Sequence, residues 1–117
     1  MNTNRISVHG APEPRRGEVW LADLDKRRPV VILTRDPMGQ HLNAVLAAPV
    51  TTRIRGLTTE VVLGTESGIA QQSVVNADMI CLVDRTNLRG LIGFVPHDTM
   101  TNICSALAIA VDCDKQE

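Results

Sequence analysis

The chain has 117 residues and a formal net charge of −1 at pH 7, with 44% hydrophobic, 21% charged and 2% aromatic residues. This length suffices for one small domain with a single core, and the composition excludes a chain that is disordered throughout. The balanced charge excludes a uniformly basic protein. Any contact with nucleic acid must therefore come from local clusters of basic residues.

The first fourteen residues are polar, contain glycine and proline, and lack periodicity. We expect a flexible tail over residues 1–14 and a single domain over residues 15–117. No stretch approaches the ~20 apolar residues that a membrane span needs. We therefore expect a cytoplasmic protein with no membrane partner.

Five to seven short strands are predicted along the chain. GEVWLADL (17–24) alternates in period two, which predicts a half-buried strand. PVVILT (29–34) is apolar throughout and indicates a strand covered on both faces. NAVLAAPV (43–50) is a third run, which we expect to end at Pro49. The later strands are predicted in TTEVVL (58–63), QSVVNADMICLV (72–83) and GLIGFV (90–95).

The C-terminal segment PHDTMTNICSALAIAV (96–111) has a different pattern. Pro96 is suited to open a helix, and Asp98 or Thr99 to cap it. Apolar residues recur at spacings of three and four, at Met100, Ile103, Leu107 and Ala110. The sequence thus predicts a mainly β fold, a small barrel-like antiparallel sheet covered by a C-terminal helix.

Cysteine and histidine residues give no metal or redox motif. The three cysteines, Cys81, Cys104 and Cys113, are odd in number and match no zinc or disulfide-exchange spacing. We expect reduced, buried thiols and no metal site. None of the three histidines lies in a motif, so a ribonuclease-like histidine dyad is not expected.

A signature runs through the first three predicted strands. The first opens at Gly17 with GEVW, the second opens with Arg28 and Pro29, and the third closes with Thr51. The surrounding segments are RRGEVWLADLDKRRPVVILTRD, APVTTRIRGLTTEVVL and SVVNADMICLVDRTNLRGLIGFV. In this order and spacing, they resemble the MazF/PemK family of toxin endoribonucleases, over residues 15 to about 111.

The resemblance implies an SH3-like barrel of the CcdB/MazF type, which forms a homodimer and cuts single-stranded RNA at a short sequence without metal or cofactor. It also implies a cognate, MazE-like antitoxin whose acidic or disordered tail covers the RNA groove. One segment departs from the family pattern. The loop between the first two strands, usually long and glycine-rich, has shrunk to DLDKRRP. The cleavage sequence is therefore not carried over.

Metal-free RNA cleavage uses the neighbouring 2′-hydroxyl as nucleophile, so a protein must deprotonate it, stabilise the charged phosphorane and protonate the leaving oxygen. Arg28 is the expected clamp, because a guanidinium binds two phosphate oxygens and Pro29 fixes the backbone beside it. Because a guanidinium holds its proton very tightly, stabilisation is a better role for Arg28 than proton donation. Thr51 is expected to orient the phosphate or the 2′-oxygen, with Thr52 as a substitute. Starting a turn is the alternative role for both.

Asp78 matches an acidic position that some family members place in the catalytic site. It is a candidate base or a partner for Arg28, and a turn residue is the alternative. Asn76, expected on the same strand face, stands where those members have arginine. The pair is therefore incomplete, and Asp78 ranks below Arg28 and Thr51.

Further RNA contacts are expected from Arg27, Arg53 and Arg55, which flank the predicted groove and are suited to binding phosphates. A solvated surface is the alternative for each of them. Thr52 and Asn76 are also expected to contact RNA. Trp20 is expected in the core or a dimer contact rather than stacked on a base.

Two further functions remain open from the sequence. A CcdB-like barrel poisons a topoisomerase by binding, but such proteins depend on a C-terminal Trp-Gly-Ile-like ending, and this chain ends in DCDKQE. A family member degenerated into an RNA-binding module is the other alternative. Arg28, Pro29 and Thr51 favour cleavage.

Overall fold

The computed structural model describes residues 11–113, which form seven strands and one α-helix. The strands are β1 (Glu18–Asp23), β2 (Arg27–Ile32), β3 (Ala44–Thr51), β4 (Glu60–Leu63), β5 (Ser73–Asn76), β6 (Cys81–Asp84) and β7 (Leu88–Phe94), followed by helix α1 (His97–Ala110). Short 3₁₀ turns span Met38–Gln40, Thr65–Ser67, Ala77–Met79 and Arg85–Asn87. The predicted mainly β fold with a C-terminal helix is confirmed.

All strand pairs are antiparallel, in the order β4-β5-β3-β2-β1-β7, with β6 also paired to β3. Strand β3 is the hub, because it pairs with β2, β5 and β6. Its first half, Ala44 to Ala47, pairs with β6, and its last two residues pair with β5.

Pro49 does not end the third strand, so that prediction is wrong. β3 continues to Thr51, and Pro49 lies opposite Val30 of β2. On the other side of β3, the ladder to β6 stops at Ala47 and the ladder to β5 starts at Val50. Proline lacks an N–H, so it is tolerated where the strand changes partners.

Residues Val30 to Ile32 of strand β2 are apolar and buried because both faces of the strand are covered there, as predicted. Val31 packs with β1, β3 and α1 in one cluster that includes Ile103, whereas Val30 and Ile32 pack in a second cluster around Trp20. The same alternation holds in β1, where Val19 and Trp20 are both fully buried in different clusters. The prediction that the first strand is half-buried is therefore wrong, since the face predicted to be exposed carries the buried Trp20.

The two edge strands of the barrel-like sheet, β4 and β7, are brought together by a close backbone contact at two glycines. Within residues 11–113, no strand pairing joins β4 to β7. Instead, a Cβ on Gly93 of β7 would lie 2.5 Å from the carbonyl oxygen of Ser67, and one on Gly68 would lie 2.5 Å from that of Ile92. The absence of side chains at both positions lets the turn after β4 sit directly on β7.

Helix α1 covers the Val31 cluster with Met100 and Ile103, and Leu107 packs against its edge. These three positions were predicted, whereas the burial of Ala106 was not. The predicted cap by Asp98 or Thr99 is wrong. Pro96 occupies the N-cap position and makes no side-chain cap, and Asp98 only accepts a hydrogen bond from the next amide.

Part of the predicted tail is packed on the domain. Pro14 is fully buried, and the carbonyl oxygen of Pro12 accepts a hydrogen bond of 2.7 Å from Nε of buried Arg85. Nη1 of the same guanidinium also reaches the carbonyls of Gln40 and Leu42. The folded region therefore includes residues 11–14, because a long-range side chain, invisible in the local pattern, holds them. Residues 1–10 of the predicted tail lie outside the described residues.

Candidate nucleic-acid cleft

A polar cleft of about 430 Å³ lies where β2 begins and where β3 and β5 end. It is lined by Lys26, Arg28, Pro49, Thr51, Thr52, Arg53, Arg55, Glu60, Asn76 and Met79. Six residues predicted for the site are thus brought together, namely Arg28, Thr51, Thr52, Arg53, Arg55 and Asn76. Arg27 and Asp78 do not line the cleft.

The register between β2 and β3 explains why Arg28 and Thr51 meet. Val30 lies opposite Pro49 in this antiparallel pair. The observed ladder ends at this pair; extended by two residues along each strand, the same register sets Arg28 across from Thr51, and both residues line the cleft. Because side chains alternate in period two, both point to one face of the sheet.

The Arg28 guanidinium is held in place but retains free donors. Its side chain is 24% exposed, and Nη2 contacts both carboxylate oxygens of Asp25, at 3.2 and 3.4 Å. Nε is buried and has no hydrogen-bond partner among the described residues. Asp25 is largely exposed on the three-residue loop between β1 and β2. An incoming phosphate thus competes with only one solvated carboxylate for this guanidinium.

Cys81 of β6 lies near enough to Arg28 for the charge to affect it. Burial raises the pKa of the Cys81 thiol, and the Arg28 charge opposes that shift. The raised pKa keeps the thiol protonated at neutral pH, so Cys81 is not an activated nucleophile. All three cysteines are free, but the prediction that they are buried is wrong, since Cys81 is half-buried and Cys104 and Cys113 are exposed.

Thr51 presents its hydroxyl in a defined orientation. Its Oγ1 accepts a hydrogen bond of 3.1 Å from the backbone N–H of Arg53. The hydroxyl proton is left available to donate to a phosphate oxygen.

Glu60 organises the loop that carries the two outer arginines, a role that was not predicted. One carboxylate oxygen, Oε1, accepts hydrogen bonds from the amides of Arg55, Gly56 and Leu57, at 3.1, 2.8 and 3.2 Å. Gly56 adopts a φ of +76° in this turn. In the sequence, Glu60 is only a polar residue that opens a strand, and nothing in that pattern indicates a loop clamp.

Arg27 lies on the other side of the strand from the cleft, as period-two alternation predicts. Its side chain is 58% exposed and its Nε contacts Asp23 at 2.8 Å, and Asp23 also binds Nε of Arg89 at 2.5 Å. Hydrogen bonds from Arg27 and Arg89 lower the pKa of Asp23. The carboxylate therefore stays ionised at neutral pH and partly neutralises both cations. Arg89 was missed because it lies on the distant strand β7.

Asp78 is placed differently from the sequence expectation. It lies on the 3₁₀ turn after β5 rather than on the strand face of Asn76, and its amide donates to Oδ1 of Asn76 at 2.9 Å. Its carboxylate accepts a hydrogen bond of 2.6 Å from the Thr59 hydroxyl. The expectation that Asp78 holds Arg28 is wrong, because Asp25 makes that contact.

Three comparisons relate this architecture to known proteins. The family model described as PemK-like, MazF-like toxin of type II toxin-antitoxin system matches residues 15–111. The chain belongs to this toxin family.

Similar proteins occur in Mycobacterium tuberculosis. The chain is 44% identical over 105 residues to "Probable endoribonuclease MazF5", covering 87% of this chain and 96% of the relative. It is 38% identical over 96 residues to "Endoribonuclease MazF3", covering 82% and 93%. Both relatives therefore match over almost their whole length.

Solved structures give the same result. "Mycobacterium tuberculosis toxin MazF-mt6" superposes with a TM-score of 0.81 at 38% identity, covering 84% of this chain and 99% of that one. A mycobacterial endoribonuclease in complex with its cognate antitoxin gives a TM-score of 0.79 at 31% identity, covering 88% and 99%. The arrangement of strands and helix is thus that of MazF toxins.

Within this MazF-family chain, the described residues include no group of three histidine, cysteine, aspartate or glutamate side chains placed to hold a metal ion. Trp20 is fully buried, with Nε1 bonded to Glu18, so the expected core position is confirmed. No helix in the described part of the chain is long and apolar enough to cross a membrane.

Removing the Glu60 clamp should loosen the loop that holds Arg53 and Arg55. We expect Glu60→Ala to speed tryptic cleavage after these two arginines several-fold, because three amides lose their acceptor. Mass spectrometry of timed digests measures the rate at each site. Glu66→Ala is the matched control, since Glu66 accepts from the Gly64 amide in another turn. Equal rates in wild type and Glu60→Ala would contradict the clamp.

Proposed function

We propose that the chain is the toxin of a type II toxin-antitoxin pair, a metal-independent endoribonuclease that cleaves single-stranded RNA by attack of the 2′-hydroxyl. The observation that carries this proposal is that Arg28 and Thr51 line one cleft with three further basic side chains, Lys26, Arg53 and Arg55. The names of the relatives give independent support for endoribonuclease activity.

Each step of the reaction has a candidate group in this proposal. The free donors of Arg28 bind the non-bridging phosphate oxygens, and they stabilise the phosphorane charge when the 2′-oxygen attacks phosphorus. The Thr51 hydroxyl donates to the same phosphate and keeps it in line. The bond to the 5′-oxygen then breaks and this oxygen takes a proton from solvent water, which leaves a 2′,3′-cyclic phosphate and a 5′-hydroxyl.

The proton acceptor in this scheme is a carboxylate. Asp25 is the first candidate, because its carboxylate already contacts Nη2 of Arg28 and lies on an exposed loop. A bound phosphate would displace this carboxylate from Nη2 and leave it free to accept a proton. Asp78 remains the second candidate, since its carboxylate is engaged by Thr59. A carboxylate takes the 2′-proton as the nucleophile attacks.

RNA binding in this proposal uses the remaining residues of the cleft. Arg53 and Arg55 are exposed and make no salt bridge within the described residues, so they are available to phosphates. Thr52 and Asn76 supply polar contacts. Arg27 contributes from outside the cleft after exchanging Asp23 for phosphate, a contact that depends on salt.

The proposed protein partner is a MazE-like antitoxin with an acidic segment, which would compete with RNA for the basic cleft. A solved relative in complex with its cognate antitoxin supports this partner. The proposed location is the cytoplasm, where RNA is available. The topoisomerase-poison alternative is not favoured, because the relatives and structures given above are endoribonucleases and MazF toxins.

The chemistry predicts both the products and the response to chelation. In excess EDTA, purified protein should still cut long RNA and leave 2′,3′-cyclic phosphate and 5′-hydroxyl ends, which mass spectrometry of the fragments identifies. Activity that disappears with EDTA and returns with magnesium would contradict the mechanism.

Arg28→Ala should slow cleavage about 10²-fold or more, the scale for removing a preorganised transition-state donor, while RNA binding falls much less. Arg28→Lys should rescue poorly, because an ammonium lacks the bidentate fork. Arg27→Ala is the matched control and should mainly weaken binding, most at low salt. Single-turnover rates and filter binding separate the two effects.

The opposite result, with Arg27→Ala inactive and Arg28→Ala active, would show that the wrong arginine has been assigned. Normal cleavage by both variants would remove the main support for the enzyme. Binding of RNA without cleavage by the wild type would favour a degenerate RNA-binding module.

We also propose a homodimer with RNA bound along the interface. Leu46 of β3 and Leu82 of β6 face each other across their ladder and are 43% and 69% exposed, which leaves an aliphatic surface for a second copy. Light scattering at micromolar concentration should give twice the mass of one chain. A mass of one chain under the same conditions would contradict the dimer.

A further inference from the structure

A second recess, of about 420 Å³, opens beside the cleft. Its walls are the aliphatic side chains of Pro29, Val50, Ile69 and Ile92. No charged side chain lines it, although the neighbouring cleft carries several. The recess therefore suits a neutral ligand with an apolar surface rather than a second phosphate.

The recess adjoins the cleft near the start of β2 and the end of β3. Thr52 lines both spaces. Pro29 follows Arg28, and Thr52 follows Thr51, so two residues of the recess are immediate neighbours of the two proposed catalytic residues. Because side chains alternate along a strand, the recess begins on the opposite face of the same sheet edge.

The polar group best placed to read a ligand is the side chain of Gln71. It lies on an exposed loop at the recess and carries one amide donor group and one acceptor. The hydroxyl of Ser73, which also lines the recess, already donates to the backbone carbonyl oxygen of Gln71 at 3.0 Å. That bond fixes the backbone of Gln71 and leaves its side chain free to meet the edge of a ligand.

The wall formed by Gly68 and Ile92 is set by the glycine contact that joins β7 to the turn after β4. Gly68 adopts a φ of +88°, and any Cβ there would strike the carbonyl oxygen of Ile92. The aliphatic wall is thus part of the barrel closure and exists before a ligand arrives.

We propose that this recess binds the nucleobase next to the scissile phosphate, and that the Gln71 amide reads its edge. A nucleobase has apolar faces for the aliphatic walls and a polar edge for the amide, and its phosphate would remain in the charged cleft. This subsite would select one base of the cleavage sequence, and it rests on the proposed ribonuclease function.

The test maps cleavage sites in long RNA by sequencing the new 5′ ends. Gln71→Ala should reduce the preference for one base, at a single position beside the cut, about 10-fold or more, because a bidentate contact to a base edge is lost. Ala70→Trp, which fills the recess from its rim, should alter the preference at the same position. Gln72→Ala is the matched control, since Gln72 is exposed and does not line the recess.

The proposal is overturned if Gln71→Ala and Ala70→Trp cleave with the wild-type preference at every position. It is also overturned if Gln72→Ala changes the preference as much as Gln71→Ala does. These outcomes leave the ribonuclease intact. Absence of cleavage by the wild-type protein would instead refute the proposed function.

Discussion

The antiparallel register between β2 and β3 is the constraint on which the rest of the structure depends. Val30, Val31 and Ile32 lie opposite Pro49, Ala48 and Ala47, and alternate residues of both strands enter two separate hydrophobic clusters. A slip of one residue would exchange the faces of an entire strand and remove Arg28 from the face of Thr51. The burial that stabilises the barrel therefore also fixes the positions of the two proposed catalytic residues.

Acidic side chains form contacts with several of the basic residues in the free protein. Asp25 contacts Arg28, Asp23 binds both Arg27 and Arg89, and Glu60 ties down the loop of Arg55 through backbone amides. These carboxylates offset part of the positive charge around the cleft, and the chain as a whole carries a net charge of −1. In the proposed function, RNA binding is an exchange of carboxylate for phosphate, and exposed ion pairs cost little to break.

The sequence predicts the parts of this fold that depend on local pattern. The strands and the helix follow from periodicity, and the position of Arg28 and Pro29 at the start of β2 follows from the family signature. Long-range contacts were not predictable. The contact of Asp25 with Arg28, the Glu60 clamp and the hold of Arg85 on Pro12 depend on how loops meet in space. The alternation in the first strand wrongly predicted one exposed face, because the Trp20 indole on that face is buried in a second hydrophobic cluster.

A crystal structure of the protein with RNA whose cleaved nucleotide lacks the 2′-hydroxyl tests the central claim most directly. The substitution removes the nucleophile and keeps the scissile phosphate. The account predicts that this phosphate lies within hydrogen-bond distance of both the Arg28 guanidinium and the Thr51 hydroxyl. A scissile phosphate bound instead between Arg27 and Arg89, away from the cleft, would contradict it.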